Sequence, residues 1–350
     1  GKAVIGDLLP LDDSVHIEAL LAEAAELMAA VRFDDPLPGV ALHDIRGIFP
    51  LLRIEGYRLD IEALAAAAEN LAVARDVREY FADRKEKYPL AAGIAGEIVP
   101  LEDIGRRIRR TITPDLRIAD DATPELRSIR RRLDLARSSL RSLVERTLDI
   151  LSDEVVGERT VTLRNGRYVI PVRESMRNRV PGAVHDRSQT GRTLFIEPLA
   201  SIEGNNQVRE LELAEEEEID RILRDLTALL SGAVETIERN QDILVRLDVI
   251  LAKTRYGAAV DGCAPKILDD PRIVIVRGRH PLLDWKFRKR GDGSRVVPMD
   301  LELGADATTV VLTGPNAGGK TVVLKTTGLL LLMAASGIPI PAGEGTAVCI

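Results

Sequence analysis

The eight residues Gly314 to Thr321, GPNAGGKT, constrain this chain more than any other stretch, because they fill every fixed position of the phosphate-cradling pattern G-x-x-x-x-G-K-[ST]. Such a loop works between a strand and a helix. Ahead of it, Thr308-Thr309-Val310-Val311-Leu312 reads as a short buried parallel strand; behind it, Val322 to Ser336 has helical apolar spacing and no proline. Glycines 314, 318 and 319 let the backbone close around phosphate oxygens, and the following helix adds the partial positive charge of its N-terminus. The expected nucleotide loop is therefore Gly314, Pro315, Asn316, Ala317, Gly318, Gly319, Lys320 and Thr321. Lys320 would reach the β- and γ-phosphates and the Thr321 hydroxyl would hold the metal, so ATP and Mg²⁺ are the expected cofactors.

A chain of 350 residues, 45% of them hydrophobic, can build two or three cores. Its longest apolar stretch, Leu329 to Ala335, falls far short of the roughly 20 residues of a membrane span, so no membrane partner is expected. Cys263 and Cys349 are far apart and without metal-like spacing, which fits a reducing, cytoplasmic setting. The opening Gly1-Lys2 and the closing Thr346 to Ile350, an unfinished strand, read as the edges of a fragment cut at both ends. After Thr321 the sole acid is Glu344, so the acidic pair that would orient an attacking water is expected to be missing, with no catalytic residue in the fragment and no hydrolysis by it.

Residues 1–122 read as a helical region. Asp12-Asp13-Ser14 precede a helix whose face is Ile17, Leu20, Leu21, Ala24, Leu27 and Met28 and offer its N-cap, and Asp60 or a nearby residue opens another through Phe81. Two long arms follow. The first starts at Thr123-Pro124-Glu125 and carries the seam Leu126, Ile129, Leu133, Ala136, Leu140 and Leu143, with Ile150 resuming it after a polar Thr147. The second carries Ile219, Ile222, Leu226, Leu229, Ala233, Ile237, Leu244 and Leu247, in a segment made acidic by Glu215 to Glu218. One arm is Arg-rich and the other acid-rich, which predicts an antiparallel pair.

Between the arms lies a β-prone module. Asn165-Gly166, flanked by Thr160 to Leu163 and Arg167 to Val172, is a strong hairpin signal, and short strands are expected at Ala183-Val184 and Thr193 to Ile196. Residues 159–192 hold eight arginines against Glu174 and Asp186, in a chain whose net charge is −7. The guanidinium fork grips phosphate bidentately, so Arg164, Arg167, Arg173, Arg177, Arg179, Arg187 and Arg192 are candidate nucleic-acid contacts. With only Tyr168 and Phe195 aromatic there, backbone or shape recognition is favoured over base stacking. Further on, Ile273 to Val276 reads as an entry strand and Asp284 to Arg295 as an exposed loop.

The GRHPLL of 278–283, the VVP of 296–298, the TGPNAGGKT of 313–321 and the GIPIPA of 337–342, in that order, resemble the ATPase domain of the MutS family. The RYVIPV of 167–172 and the HDRSQTGRTLFIEP of 185–198 resemble the clamp of its type II branch, which lacks the mismatch-recognition domain. The resemblance implies a multidomain, mainly α fold with an α/β P-loop, ABC-like ATPase domain. The expected parts are a helical core (1–122), an ascending lever (123–158), a β-rich clamp (159–198), a descending lever (199–256) and an incomplete ATPase domain (257–350). It further implies an ATP-dependent clamp on branched or structured DNA that restrains recombination, a homodimer through the ATPase domain, and in many members a C-terminal nuclease. The alternatives are a ribosome-associated ATPase contacting rRNA and acting on stalled ribosomes, and an SMC-like scaffolding ATPase. Localisation would be cytoplasmic, at the nucleoid or the ribosome. Three departures stand out. Phe195-Ile196-Glu197 matches the mismatch wedge but lies in the clamp, Val296 stands where mismatch-repair relatives place an adenine-stacking aromatic, and Met299 replaces a usual Asn.

Overall fold

The computed structural model describes residues 2–32, 39, 42–290, 295–315 and 319–350. The chain is mainly helical with two small sheets. Its helices run α1 (Lys2–Gly6), α2 (Ser14–Arg32), α3 (Phe49–Leu52), α4 (Ile61–Ala82), α5 (Pro89–Gly96), α6 (Glu102–Thr111), α7 (Pro124–Ile150), α8 (Ile202–Ser231), α9 (Val234–Ala259), α10 (Pro281–Arg290) and α11 (Lys320–Ala335). The strands are β1 (Thr162–Arg164), β2 (Arg167–Arg173), β3 (Gly182–Arg187), β4 (Thr193–Pro198), β5 (Lys266–Ile267), β6 (Ile273–Gly278), β7 (Met299–Leu303) and β8 (Ala347–Val348). Two compact units result: 1–44 with 69–102 and 235–350, and 45–68 with 103–234.

Local signals set the helix starts. Asp13 accepts from the Val15 and His16 amides, Asp60 from Ala63, and Thr123 from Leu126, so each helix opens on a side chain that satisfies an otherwise orphaned N–H.

In the second unit α7 and α8 lie antiparallel. Arg130 meets Glu215 at 2.7 Å and Arg137 meets Glu212 at 2.8 Å, while Thr123 donates to Glu218 at 2.7 Å. The expected charge complementarity is present along this pair. One expectation needs correcting: the descending arm is two helices, because α8 ends at Ser231, capped by Gly232, and α9 starts at Val234. Leu244 and Leu247 then bury in the first unit against Val77, Phe81 and Tyr88. Apolar spacing predicts a seam but not its partner, and here the seam has two partners in succession.

The sheet of the second unit has strand order β1-β2-β4-β3, antiparallel throughout. Arg164 pairs with Arg167 in register, and Asn165 (φ 50°) and Gly166 (φ 74°) both take left-handed backbone, as a two-residue hairpin turn requires. Ile170, Val172, Leu194 and Ile196 form one core with Leu133, Leu140 and Val144 of α7 and with Val208 and Leu211 of α8.

The first unit contains the order β5-β8-β6-β7, in which only β5 and β8 run parallel. Two more expectations are corrected here. Residues 308–312 form no strand, and Val311 is 79% exposed: a buried strand needs ladder partners on both edges, and among the described residues no strand pairs with this run. Residues 281–290, mostly read as loop, form α10, with proline at its first position and the pair Asp284–Arg288 at 2.7 Å one turn apart.

Candidate nucleotide loop and nucleic-acid interface

The phosphate-loop pattern sits at the head of α11. Gly314 (φ 146°) and Gly319 (φ 83°) both occupy backbone that favours glycine, and a Cβ on either would meet nothing within 4 Å. Conformation, not space, selects glycine at these two positions. Gly319 is the N-cap of α11 and Lys320 its first residue, so the free amides of a 16-residue helix open directly onto the loop. The Lys320 ammonium donates to the Gly314 carbonyl, which folds the side chain back across the loop. Thr321 follows within the first turn and is exposed. Pro315 is exposed; Asn316, Ala317 and Gly318 lie outside the described residues. These features fit a bound phosphate chain. Among the described residues no cluster of three His, Cys, Asp or Glu could hold a metal by itself, so a magnesium ion here would depend on Thr321 and the phosphates.

Val296 to Pro298 line a cavity of about 850 Å³ in the same unit, together with Arg277, Arg279 and Arg288. Arg279 and Arg288 are tied to Asp284 at 3.4 and 2.7 Å. Burial first, and Asp284 second, push the neighbouring Tyr256 phenol up to about 12 against the opposing pull of Arg279.

The arginines of the β1–β4 module separate into two groups. Arg159 pairs with Asp153 at 2.8 Å, Arg167 with Glu197 at 2.7 Å and Arg187 with Glu174 at 3.0 Å. Arg164 meets Asp186 at 3.4 Å with its guanidinium 4.4 Å from the Phe195 ring centre. Arg173, Arg177, Arg179 and Arg192 form no ion pair among the described residues, and all four are exposed. Arg173 ends β2 opposite Thr193, and the Glu174 amide donates to the Arg192 carbonyl at 3.0 Å, so Arg173 and Arg192 share one end of the sheet. Arg177 and Arg179 sit on the short 3-10 helix Glu174–Arg179 that leads to β3. The acids of the module are consumed by the first group, which leaves the second as uncompensated positive charge.

Of the seven arginines read as candidates, then, Arg173, Arg177, Arg179 and Arg192 are available to a ligand, while Arg164, Arg167 and Arg187 are engaged within the fold. Glu197 explains much of this. It is 2% exposed, accepts from Arg167 through one oxygen and from His185 at 2.5 Å through the other, and Arg167 also donates to Asn206 of α8 at 2.8 Å. A buried carboxylate needs such partners. Phe195-Ile196-Glu197 is therefore structural here: its acid is locked inward and its ring lies under Arg164. Sequence reading missed His185 and Glu197 as a pair, and no spacing rule links residues on different strands.

No family model matches the chain. Over nearly its whole length it is similar to proteins named Endonuclease MutS2. It is 42% identical over 347 residues to that of Pelotomaculum thermopropionicum, covering 99% of this chain and 43% of the relative. It is 38% identical over 358 residues to that of Acetivibrio thermocellus and 36% over 354 residues to that of a Geobacillus species, covering 100% of this chain and 44% of each relative. The chain spans less than half the length of the curated relatives it matches.

Proposed function

We infer that this chain, alike from end to end to proteins named Endonuclease MutS2, is part of a MutS-like, ATP-dependent DNA-binding protein of the type II branch that acts in recombination. The observation that carries the reading is the sorting of the arginines in this β module, which leaves Arg173, Arg177, Arg179 and Arg192 without ion pairs among the described residues while Arg164, Arg167 and Arg187 are paired with its acids. Guanidinium groups held on such a frame suit the phosphates of branched or structured DNA, whose shape and not its sequence would be read. Gly314, Gly319, Lys320 and the head of α11 would hold the triphosphate, Thr321 the magnesium ion, and the cavity lined by Val296 is the place the family resemblance offers for the base. When bound, ATP supplies free energy that differs between conformations, and this chain's part is to grip it and to pass on the difference.

The intact protein would pair through its ATPase domain and work in the cytoplasm at the nucleoid; among the described residues no helix is long and apolar enough to cross a membrane. The relatives' name adds a cutting activity to the intact protein, and no residue of this chain is assigned to it. Neither the ribosome-directed nor the scaffolding alternative gains support from those names.

The test is reciprocity, since nucleotide and DNA must alter each other's affinity by the same factor. Affinity of the intact protein for a four-way junction is measured with and without a non-hydrolysable ATP analogue, in the wild type and in Lys320→Ala. A nucleotide-dependent shift that the variant loses is expected. Equal affinities under all four conditions would remove the coupling.

A further inference from the structure

The far end of α11 is held as closely as its head is open. Lys253, on α9, is 6% exposed, and its ammonium donates at 3.0 Å to the carbonyl of Ser336, the C-cap residue of α11. The Leu11 amide takes the preceding carbonyl, of Ala335, at 3.0 Å, and Thr254 beside Lys253 donates to the Ala24 carbonyl of α2 at 3.3 Å. No slack remains around these bonds. A Cβ on Gly257 of α9 would stand 2.7 Å from the Met28 sulfur and 2.8 Å from Pro339, and one on Gly337 would stand 2.5 Å from Leu20. Burial pushes the Lys253 pKa down, opposed by the charge of Glu23, one of whose oxygens Arg246 holds at 2.5 Å. Burying an ammonium costs free energy unless hydrogen bonds or an opposite charge offset its lost hydration. Here it closes the carbonyl end of a helix dipole, where a cation is favoured.

We propose that Lys253 is the positioning residue that seats the phosphate-loop helix on the helical core, so that a shift of α11 on nucleotide binding must carry α9 and α2 with it. This rests on the nucleotide reading above. α11 is a rod of 16 residues, roughly 24 Å long, with ligand groups at one end and this latch at the other. If the C-terminal end were free, tilting at the loop would be absorbed at Ser336 and Gly337. With Lys253 on the carbonyl and glycines packed closely on both sides, the tilt has nowhere else to go.

The experiment uses the intact protein with Mg²⁺ and a non-hydrolysable ATP analogue, following amide hydrogen exchange peptide by peptide in the wild type, Lys253→Met and Lys253→Arg. In the wild type, nucleotide should slow exchange at 320–326 and, by at least about twofold, at 249–257. Lys253→Met keeps the apolar stem and removes the charged donor. It should bind the analogue within about threefold of wild type and slow exchange at 320–326, but leave 249–257 unmoved. Lys253→Arg, which retains a donor and a charge, should recover part of the α9 response, which a merely space-filling role would not require. The latch is overturned if Lys253→Met retains the full response at 249–257, or if the wild type responds at 320–326 alone. If the wild type binds no analogue and neither segment responds, the nucleotide reading falls first and the latch with it.

Discussion

If the sorting of the arginines in the β module governs DNA binding, replacing Arg173, Arg177 and Arg179 together by alanine removes three of the module's four guanidinium groups that form no ion pair among the described residues. Each phosphate that is no longer neutralised lowers the slope of log K against log salt by about 0.9 on duplex DNA, so the triple variant should have a slope shallower by up to about 2.7. A fourfold rise in salt would then cost the wild type about forty times more affinity than it costs the variant. The control is Arg164→Ala with Arg187→Ala, two arginines just as basic but already facing Asp186 and Glu174. Fluorescence anisotropy of a labelled junction, titrated with the intact protein between about 50 and 200 mM KCl, reads both slopes. A triple variant as steep as wild type, or a control that flattens by as much as the triple, would refute the distinction between engaged and free arginines.

Arg167→Ala should act on stability instead, because it leaves the buried Glu197 carboxylate with His185 alone. A loss of about 2 kcal/mol is expected, less than for a fully orphaned buried charge, read as faster hydrogen exchange across β2 and β4. Glu218 is held below its usual range chiefly by its bond to Arg221, with burial opposing and Thr123 assisting. Its contribution is therefore present above the ordinary carboxylate value and fades as pH falls through the lowered one. Glu218→Gln should melt lower at neutral pH by about 2 °C, and the gap to wild type should narrow on acidification; a constant gap argues against the linkage. Gly319→Ala places a Cβ in open space but in left-handed backbone, at a cost of about 1 to 2 kcal/mol. The free loop relaxes out of that backbone and must return to it on binding, so nucleotide affinity should fall by roughly tenfold with little change in melting temperature. Unaltered binding in isothermal titration would mean that binding does not need left-handed backbone at Gly319.

What could be read in advance was mostly what adjacent residues decide among themselves. The Asn165-Gly166 turn and the caps at Asp13, Asp60 and Thr123 depend on a few neighbouring atoms, and each is found as the residues imply. The antiparallel match of α7 with α8 was legible because charge and apolar spacing agreed along most of both. The expected seam fails at the end of α7, where Ile150 is 85% exposed and Val144 and Leu148 are buried in the core of the β1–β4 sheet instead. Failures came where a distant partner decides. The run 308–312 has the composition of a buried strand and no described ladder to join, and Leu244 and Leu247 have the spacing of a lever seam but bury in another core. Arginine counting found the basic module but could not separate its members, since Arg167 and Glu197 are far apart along the chain and meet only after three strands are in register.

The shared acid in the clamp has an evolutionary consequence. Glu197 serves β2 through Arg167 and β3 through His185 while itself belonging to β4, and Arg167 extends the tie to Asn206 of α8. Drift at any one of these positions strands the others, so they should be inherited as a set, whereas Arg173, Arg177, Arg179 and Arg192 form no ion pair among the described residues and can be gained or lost one at a time as the ligand changes. Among descendants of this chain, the inner residues would record ancestry and the outer ones occupation.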